Sequence, residues 1–397
     1  MHPSEEIRGA DDWKLRGKKV VIGITGSIAA VECVKLIRAL VRRGADVHPV
    51  MSEAAARIVH PDAIHFAGGR RPITALDGET QHVALCGEVP DRADLLLIAP
   101  ATANTIGKIA WGIDDTPVTT FATTAIGTGI PVIIVPAMHG SMYKHPLVLE
   151  NVDTLKSIGV RFVGPVMRGT KARMAGNDEI VAAVVRALSG EPLKDKRIVI
   201  VSGGFSAPWD DVRSITSNAS GETGRALAAE AYERGADVLL IQAGSDEAPP
   251  QVCALRADTV DELLVALKGL DADAIIVPAA IPDYAPERVK GKVPSDRVKM
   301  ALSLKKIPKV LGTIRKHHGG VLVGFKAESG VSEADLVKRA RARMKEHKLD
   351  FIVANDVRKV KPGKADAVIV GKKPRAVKGS RRDLASAVID EVGKLLA

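Results

Sequence analysis

Aromatic residues are scarce in this chain of 397 residues, at 3% in total with three Trp, three Tyr and six Phe. So few rings, with no recognition-helix motif, argue against a nucleic-acid stacking platform. Cysteine is also scarce. Cys33, Cys86 and Cys253 are odd in number and far apart, which excludes a disulfide framework and leads us to expect a reducing cytoplasm. No apolar run reaches the ~18 residues of a membrane span. The opening MHPSEEIRGADDWK is polar and acidic, unlike a signal peptide.

What is present is ample apolar content, 46%, and a length that suggests at least two domains of about 150 residues. Net charge is +10 and uneven: 21 Lys and Arg against 19 Asp and Glu up to residue 190, then 36 against 28. Basic excess in the second half suits anionic substrates such as a nucleoside triphosphate. The run KKPRAVKGSRR, 372–382, reads as a solvated basic face.

The two halves share one grammar. KKVVIGITGSIAA (18–30) is a β-rich run, a Gly turn and a helix start, and the helix closes in R-G-A-D-V. DKRIVIVSGGFSAP (195–208) repeats the run and turn, and RALAAEAYERGADV (225–238) repeats the ending. Gly44 and Gly235 read as helix C-cap glycines, with Val47 and Val238 starting the next strands. Continuous apolar runs at 93–100, 130–137, 272–280, 320–327 and 350–356 read as strands buried on both faces. The pattern predicts two doubly wound, Rossmann-like α/β domains, 1–190 and 191–397, with ligands at strand C-termini. The seam is expected in ALSGEPLKDK, 187–196.

In the first half, Gly26, Ser27 and Ile28 open a helix after the first strand, where backbone N–H groups can approach phosphate; a tight turn is the plainer reading. Ser52 stands in a helix-capping position and could also serve a phosphate. APATANTIGK (99–108) sets Thr102, Asn104 and Thr105 at a strand's C-terminal edge. His82, in GETQHVALCGE, lies outside the buried strands and is suited to proton transfer near neutrality.

PAMHGSMYKHP (136–146), taken with these segments, resembles the homo-oligomeric flavin-containing cysteine decarboxylases. The resemblance implies FMN held by Gly26, Ser27, Ile28, Ser52, Thr102, Asn104 and Thr105 at the subunit contact of a trimer. It makes His82 the catalytic proton acceptor and Met142 a substrate contact. It implies oxidation of a cysteinyl CH₂–SH to a thioaldehyde, so that loss of CO₂ leaves an enethiolate, and return of the hydride. Two positions depart from the family. His139 stands where the family has the Asn that addresses the substrate carboxylate. The flap GPVMRGTKARMAGNDE (164–179) lacks the proton-donating Cys, and Lys171, or a water it positions, is expected to replace it, with Arg173 nearby. Cys86, four residues after His82, reads as buried filler, with proton donation the alternative.

VSGGFSAPWDDVRSITSNASGETG (201–224) resembles phosphopantothenate–cysteine ligases. Gly203, Gly204, Ser220, Gly221 and Gly224 would leave room for a triphosphate against backbone amides. The family's Asn falls on Ser217, with Asn218 beside it, and its Lys falls on Glu222. PAAIPDYAPERVKGK (278–292) implies Asp283 on the nucleotide ribose or a metal, and Lys290, or Lys292, stabilising an acyl-cytidylate transition state. LKKIPKVL (304–311) resembles the segment with a nucleotide-contacting Lys. Phe325, Asn355 and Asp356 resemble the family's base-contacting Phe and Asn-Asp pair.

The order of the halves resembles the bifunctional coenzyme A biosynthetic enzymes. It implies CTP-dependent ligation of 4′-phosphopantothenate to cysteine with Mg²⁺, then FMN-dependent decarboxylation to 4′-phosphopantetheine. It implies a trimer-based homo-oligomer, up to a dodecamer, with no nucleic-acid or membrane partner. The alternatives are a chain in which only the decarboxylase half works, or a flavin-binding regulatory subunit.

Overall fold

The computed structural model describes residues 2–294, 300–359 and 361–397. The chain divides into two compact units, Met1–Gly190 and Glu191–Ala397.

The first unit is built on five parallel strands. Their spatial order is Asp46–Met51, Lys19–Ile24, Leu95–Ala101, Val132–Pro136 and Arg161–Phe162. Numbered in chain order this is 2-1-3-4-5. The order reverses between Lys19–Ile24 and Leu95–Ala101, and a doubly wound sheet leaves its ligand crevice beyond the strand ends at that point. Successive side chains of a strand point to opposite faces. Val20, Ile22 and Ile24 therefore pack with Leu36, Leu40 and Val184, while Val21, Leu96 and Ile98 pack with Phe121 and Leu155 on the other face. The helix Cys33–Arg42 buries Leu36, Ile37, Leu40 and Val41 and ends before Gly44, whose φ of 94° is the left-handed C-cap. A short 3₁₀ turn, Ile28–Glu32, precedes it, so the helix proper begins later than the Gly turn suggested.

The main sheet of the second unit has eight strands. Six run parallel in the order Cys253–Arg256, Asp237–Gln242, Arg197–Ser202, Ala274–Val277, Val321–Glu328 and Phe351–Asp356. Lys364–Val370 and Pro374–Ser380 continue the sheet antiparallel. In chain order this is 3-2-1-4-5-6-7-8, with the reversal between Arg197–Ser202 and Ala274–Val277. The helix Glu222–Glu233 ends at Gly235, φ 98°, as its counterpart ends at Gly44. Both faces are covered: Ile198, Leu227, Val323 and Val388 on one, Val199, Ile241, Leu322 and Ile352 on the other. The basic run 372–382 is largely a solvated face, with Lys372, Lys373, Arg375, Lys378 and Arg382 exposed. It forms the edge strand Pro374–Ser380 and the first turn of the last helix, Arg381–Leu396.

No helix among the described residues is long and apolar enough to cross a membrane.

Candidate functional site

Each unit has a cavity at the switch point of its own sheet. In the first unit a cavity of about 640 Å³ is lined by Gly26, Ser27 and Ile28 from the end of the first strand and by Thr102 from the end of the third. Met138, His139, Met142, Lys171 and Arg173 close it. Gly26 is required by packing: a Cβ there would lie 2.5 Å from Ala54 Cβ. Thr25 ties the two strand ends together. Its hydroxyl donates to Pro100 O at 2.7 Å and accepts from Thr102 N at 3.3 Å. The motif reading passed over Thr25, although it directly precedes Gly26.

The outer wall is a three-stranded antiparallel sheet of Met138–His139, Lys171–Arg173 and Val166–Arg168. His139 pairs directly with Lys171, so both side chains leave the sheet on one face. His139 Nδ1 accepts from Ser141 N at 3.3 Å. In the neutral ring the hydrogen then sits on Nε2, free to donate.

Four expected residues stand outside this lining. Ser52 Oγ accepts from Ala55 N at 3.2 Å, a helix cap. Thr105 is buried and its N–H donates to Thr102 Oγ1 at 3.2 Å. Asn104 is exposed. His82 is the second residue of the helix Gln81–Cys86, with its ring edge-on to Phe121 at 6.5 Å. Its Nδ1 is shut off from solvent and lacks a hydrogen-bond partner, which is uncommon for a buried polar atom. Cys86 is fully buried in the core face with Leu96 and Phe121. Burial pushes its thiol up to about 12, the behaviour of packed filler.

In the second unit a cavity of about 470 Å³ is lined by Gly203, the loop Asn218–Gly224, Pro278–Asp283, Lys309, Phe325, Lys326, Arg343, Asn355 and Arg381. Gly203 has φ 90°, and a Cβ there would strike Ala243 O at 2.4 Å, so no other residue fits the turn without strain. Asn218 lines the cavity, whereas Ser217 Oγ donates to Ala280 O at 3.4 Å. Gly221 caps the helix Glu222–Glu233 with no side-chain hydrogen bond of its own; Glu222 N donates to Ser220 Oγ at 3.5 Å, leaving the following N–H groups of the first turn for an anion.

Asp283 lines this cavity, and its carboxylate accepts from Lys309 Nζ at 2.7 Å. That bond, ahead of the opposing effect of burial, holds Asp283 below the usual carboxylate range; Arg343 and Lys326 add to it. Among the described residues no group of three or more His, Cys, Asp or Glu is placed to hold a metal. Asp356 stands outside the lining. Its Oδ1 accepts from Gly330 N at 3.1 Å and Arg358 N at 3.0 Å, the strand-end turn, and those N–H groups depress its acidity range. Gly204 also stands outside, bridged to Ala280. Lys290 and Lys292 are exposed and outside the lining. Their turn is tied down by Asp210 and Asp211: Val293 N donates to Asp210 Oδ2 at 3.1 Å and Gly291 N to Asp211 Oδ2 at 2.9 Å. Asn218, Lys326, Arg343 and Arg381 were not singled out from the sequence. Asn218 alone had a signal, its place beside Ser217.

Comparisons with known proteins follow this division. Residues 9–189 match the flavoprotein family, and residues 193–395 match the DNA/pantothenate metabolism flavoprotein C-terminal domain family. A coenzyme A biosynthesis bifunctional protein of Thermococcus kodakarensis is 43% identical, with all of both chains covered. One of Methanocaldococcus jannaschii is 34% identical over all of this chain and 98% of its own. A solved FMN-dependent cysteine decarboxylase is 29% identical with a TM-score of 0.38, covering 44% of this chain and 98% of its own. The chain belongs to the family of bifunctional coenzyme A biosynthesis proteins, a flavoprotein domain followed by a DNA/pantothenate metabolism flavoprotein C-terminal domain.

Proposed function

We propose that residues 1–190 are an FMN-dependent phosphopantothenoylcysteine decarboxylase and residues 191–397 a CTP-dependent phosphopantothenate–cysteine ligase, working in the cytoplasm. One observation carries this reading. In each unit, motif residues distant in sequence meet in a single cavity at the switch point of that unit's own sheet.

The first cavity suits a flavin. Small residues at Gly26–Ala29 and the capped turn at Thr102 surround a phosphate-sized space, and Met138, Met142 and Met174 offer soft apolar surface. FMN, when bound, supplies reversible oxidation of the substrate's carbon–sulfur side. The chain's residues do the rest. His139 Nε2–H donates to the substrate carboxylate and orients it. Lys171, on the same sheet face, returns the proton after CO₂ leaves, directly or through a water. His82 removes a proton from the thiol side. Because His82 lies outside the lining of its own subunit's cavity, we assign it to the cavity of a second copy. The exposed apolar side chains Ile28, Val31, Trp111, Ile113 and Leu147 are surface that such a homo-oligomer, trimer-based, would cover.

In the second cavity, amides of the 218–224 loop receive phosphate, Phe325 and Asn355 face the base, and Asp283 with Lys309 faces the ribose. A protein-held Mg²⁺ does not fit two carboxylates each already facing a cation, Asp283 with Lys309 and Glu222 with Arg381; Mg²⁺ here belongs to the nucleotide substrate. Attack of the phosphopantothenate carboxylate on the α-phosphate of CTP expels pyrophosphate, and the cysteine amine then displaces CMP. Lys290 neutralises charge developing on the phosphate. The test is product analysis with 4′-phosphopantothenate, cysteine, CTP and Mg²⁺. Phosphopantothenoylcysteine followed by 4′-phosphopantetheine is expected. Absence of either product removes the corresponding half of the reading.

A further inference from the structure

We infer that Arg381, at the start of the C-terminal helix, binds a phosphate group in the second cavity and supplies the positive charge that the phosphate loop lacks at Glu222. This rests on the ligase reading of that cavity.

The loop presents a conflict. Its amides and the start of the 12-residue helix Glu222–Glu233 favour an anion. Yet the first helical residue, where the resembled ligases carry Lys, is the carboxylate of Glu222, which lines the same cavity. Left alone it would repel a phosphate. Arg381 reaches the cavity from the opposite end of the chain's fold and stands 3.7 Å, Nε to Oε2, from Glu222. The two charges attract at that distance but share no hydrogen bond. Arg381 Nε is also shut off from solvent and has no hydrogen-bond partner. A donor without water or acceptor is costly, and native structures usually satisfy it.

The three other cations of the lining differ, and Arg343 stands near Glu346, Nη1 to Oε2 3.9 Å. Lys309 donates to Asp283 at 2.7 Å and Lys326 pairs with Glu328 at 3.2 Å. Arg381 is the lining cation whose buried donor lacks an acceptor. Nor does helix stability explain its place. A cation in the first turn opposes the helix dipole, and the cap is already supplied by Ser380 and Asp383. The Arg381 side chain keeps 22% exposure, so an incoming phosphate can meet its terminal nitrogens, a turn of the fork brings Nε into the pairing, and the guanidinium suits phosphate better than an ammonium. Glu222 then acts as the positioning group that holds Arg381 toward the cavity between turnovers.

The phosphate could belong to the nucleotide or to 4′-phosphopantothenate, and the test separates them. Full-length protein is titrated with inorganic pyrophosphate by calorimetry, and ligation is followed by steady-state kinetics. Arg381→Gln is expected to weaken pyrophosphate binding about tenfold or more and to raise one KM by a similar factor with less effect on kcat. The substrate whose KM rises identifies the phosphate. Adding Glu222→Lys to Arg381→Gln returns a cation to the pair and is expected to recover binding, which a merely structural arginine would not allow. Unchanged pyrophosphate affinity in Arg381→Gln, or a double variant that melts like the native chain without recovering affinity, overturns the inference. If Arg381→Gln weakens pyrophosphate binding but the native chain forms no phosphopantothenoylcysteine, Arg381 stands and the ligase reading falls.

Discussion

His139 and Lys171 occupy directly opposed positions in the antiparallel pair Met138–His139 and Lys171–Arg173, and both line the first cavity. In the proposed reaction this imidazole and ammonium, on one sheet face, are the donors to a carboxylate substrate. The two residues proposed to orient and to protonate the substrate are thus cross-strand neighbours. Change at one position is therefore felt at the other.

From this pairing we predict that Lys171→Ala still releases CO₂ but stalls before the final protonation. The oxidised enethiol should accumulate and the flavin should stay bleached in single-turnover absorbance. Cys86→Ser, buried in the core and far up its acidity range, should leave turnover within about twofold. A Cys86→Ser stall with normal Lys171→Ala turnover would transfer the proton donor to the His82 helix.

His82→Asn should abolish CO₂ release while leaving ligation intact, because the ligase cavity is formed within residues 191–397. If His82 serves a second copy's cavity, mixing His82→Asn with Lys171→Ala subunits should restore part of the decarboxylation that neither variant performs alone. Failure of exchanged, flavin-loaded mixtures to regain any activity would place His82 and Lys171 in the same subunit's reaction.

Much of this architecture was legible in the sequence because parallel strands buried on both faces must read as unbroken apolar runs. ADLLLIAP and DFIVAND became Leu95–Ala101 and Phe351–Asp356. The repeated R-G-A-D-V ending placed Gly44 and Gly235 at left-handed caps, since few other residues accept that backbone. Local motifs located the residues that follow strands one and four. They missed Arg343 and Arg381, which reach the second cavity from helices with no motif of their own. The run 372–382 read as solvent-facing charge, which it largely is, but composition could not show that it forms an edge strand and a helix start. Ser52 and Asp356 show the reverse. Their sequence positions resembled ligand contacts, and their side chains are spent on backbone N–H groups.

Lys290→Gln should slow ligation by about 10²–10³-fold, the usual loss when a preorganised charge at a developing anion is removed. Pre-steady-state release of pyrophosphate would read the step directly. Lys292→Gln is the comparison: an equal loss there, with Lys290→Gln unaffected, would exchange the two roles.

Asp210 gives a pH-dependent version of the same test. It is buried, with Oδ1 accepting from Val212 N at 2.8 Å and Arg213 N at 2.6 Å, while Oδ2 accepts from Val293 N at 3.1 Å. Burial raises its acidity range, but the N–H groups of Val212, Val293 and Arg213, with the Arg213 charge, outweigh burial and hold it below the usual value. A carboxyl depressed in the folded state contributes stability above its unfolded value near pH ~4 and loses it as pH falls through the folded value. The tie between Asp210 and the Lys290 turn should therefore hold at neutral pH and fail in acid. Asp210→Asn keeps the shape but offers one acceptor oxygen, so it should lower ligation at pH 7 while sparing decarboxylation. Its thermal stability should also fall less steeply than that of the native chain below about pH 4. Native-like ligation and an unchanged acid profile in Asp210→Asn would show that the Lys290 turn does not depend on this carboxylate.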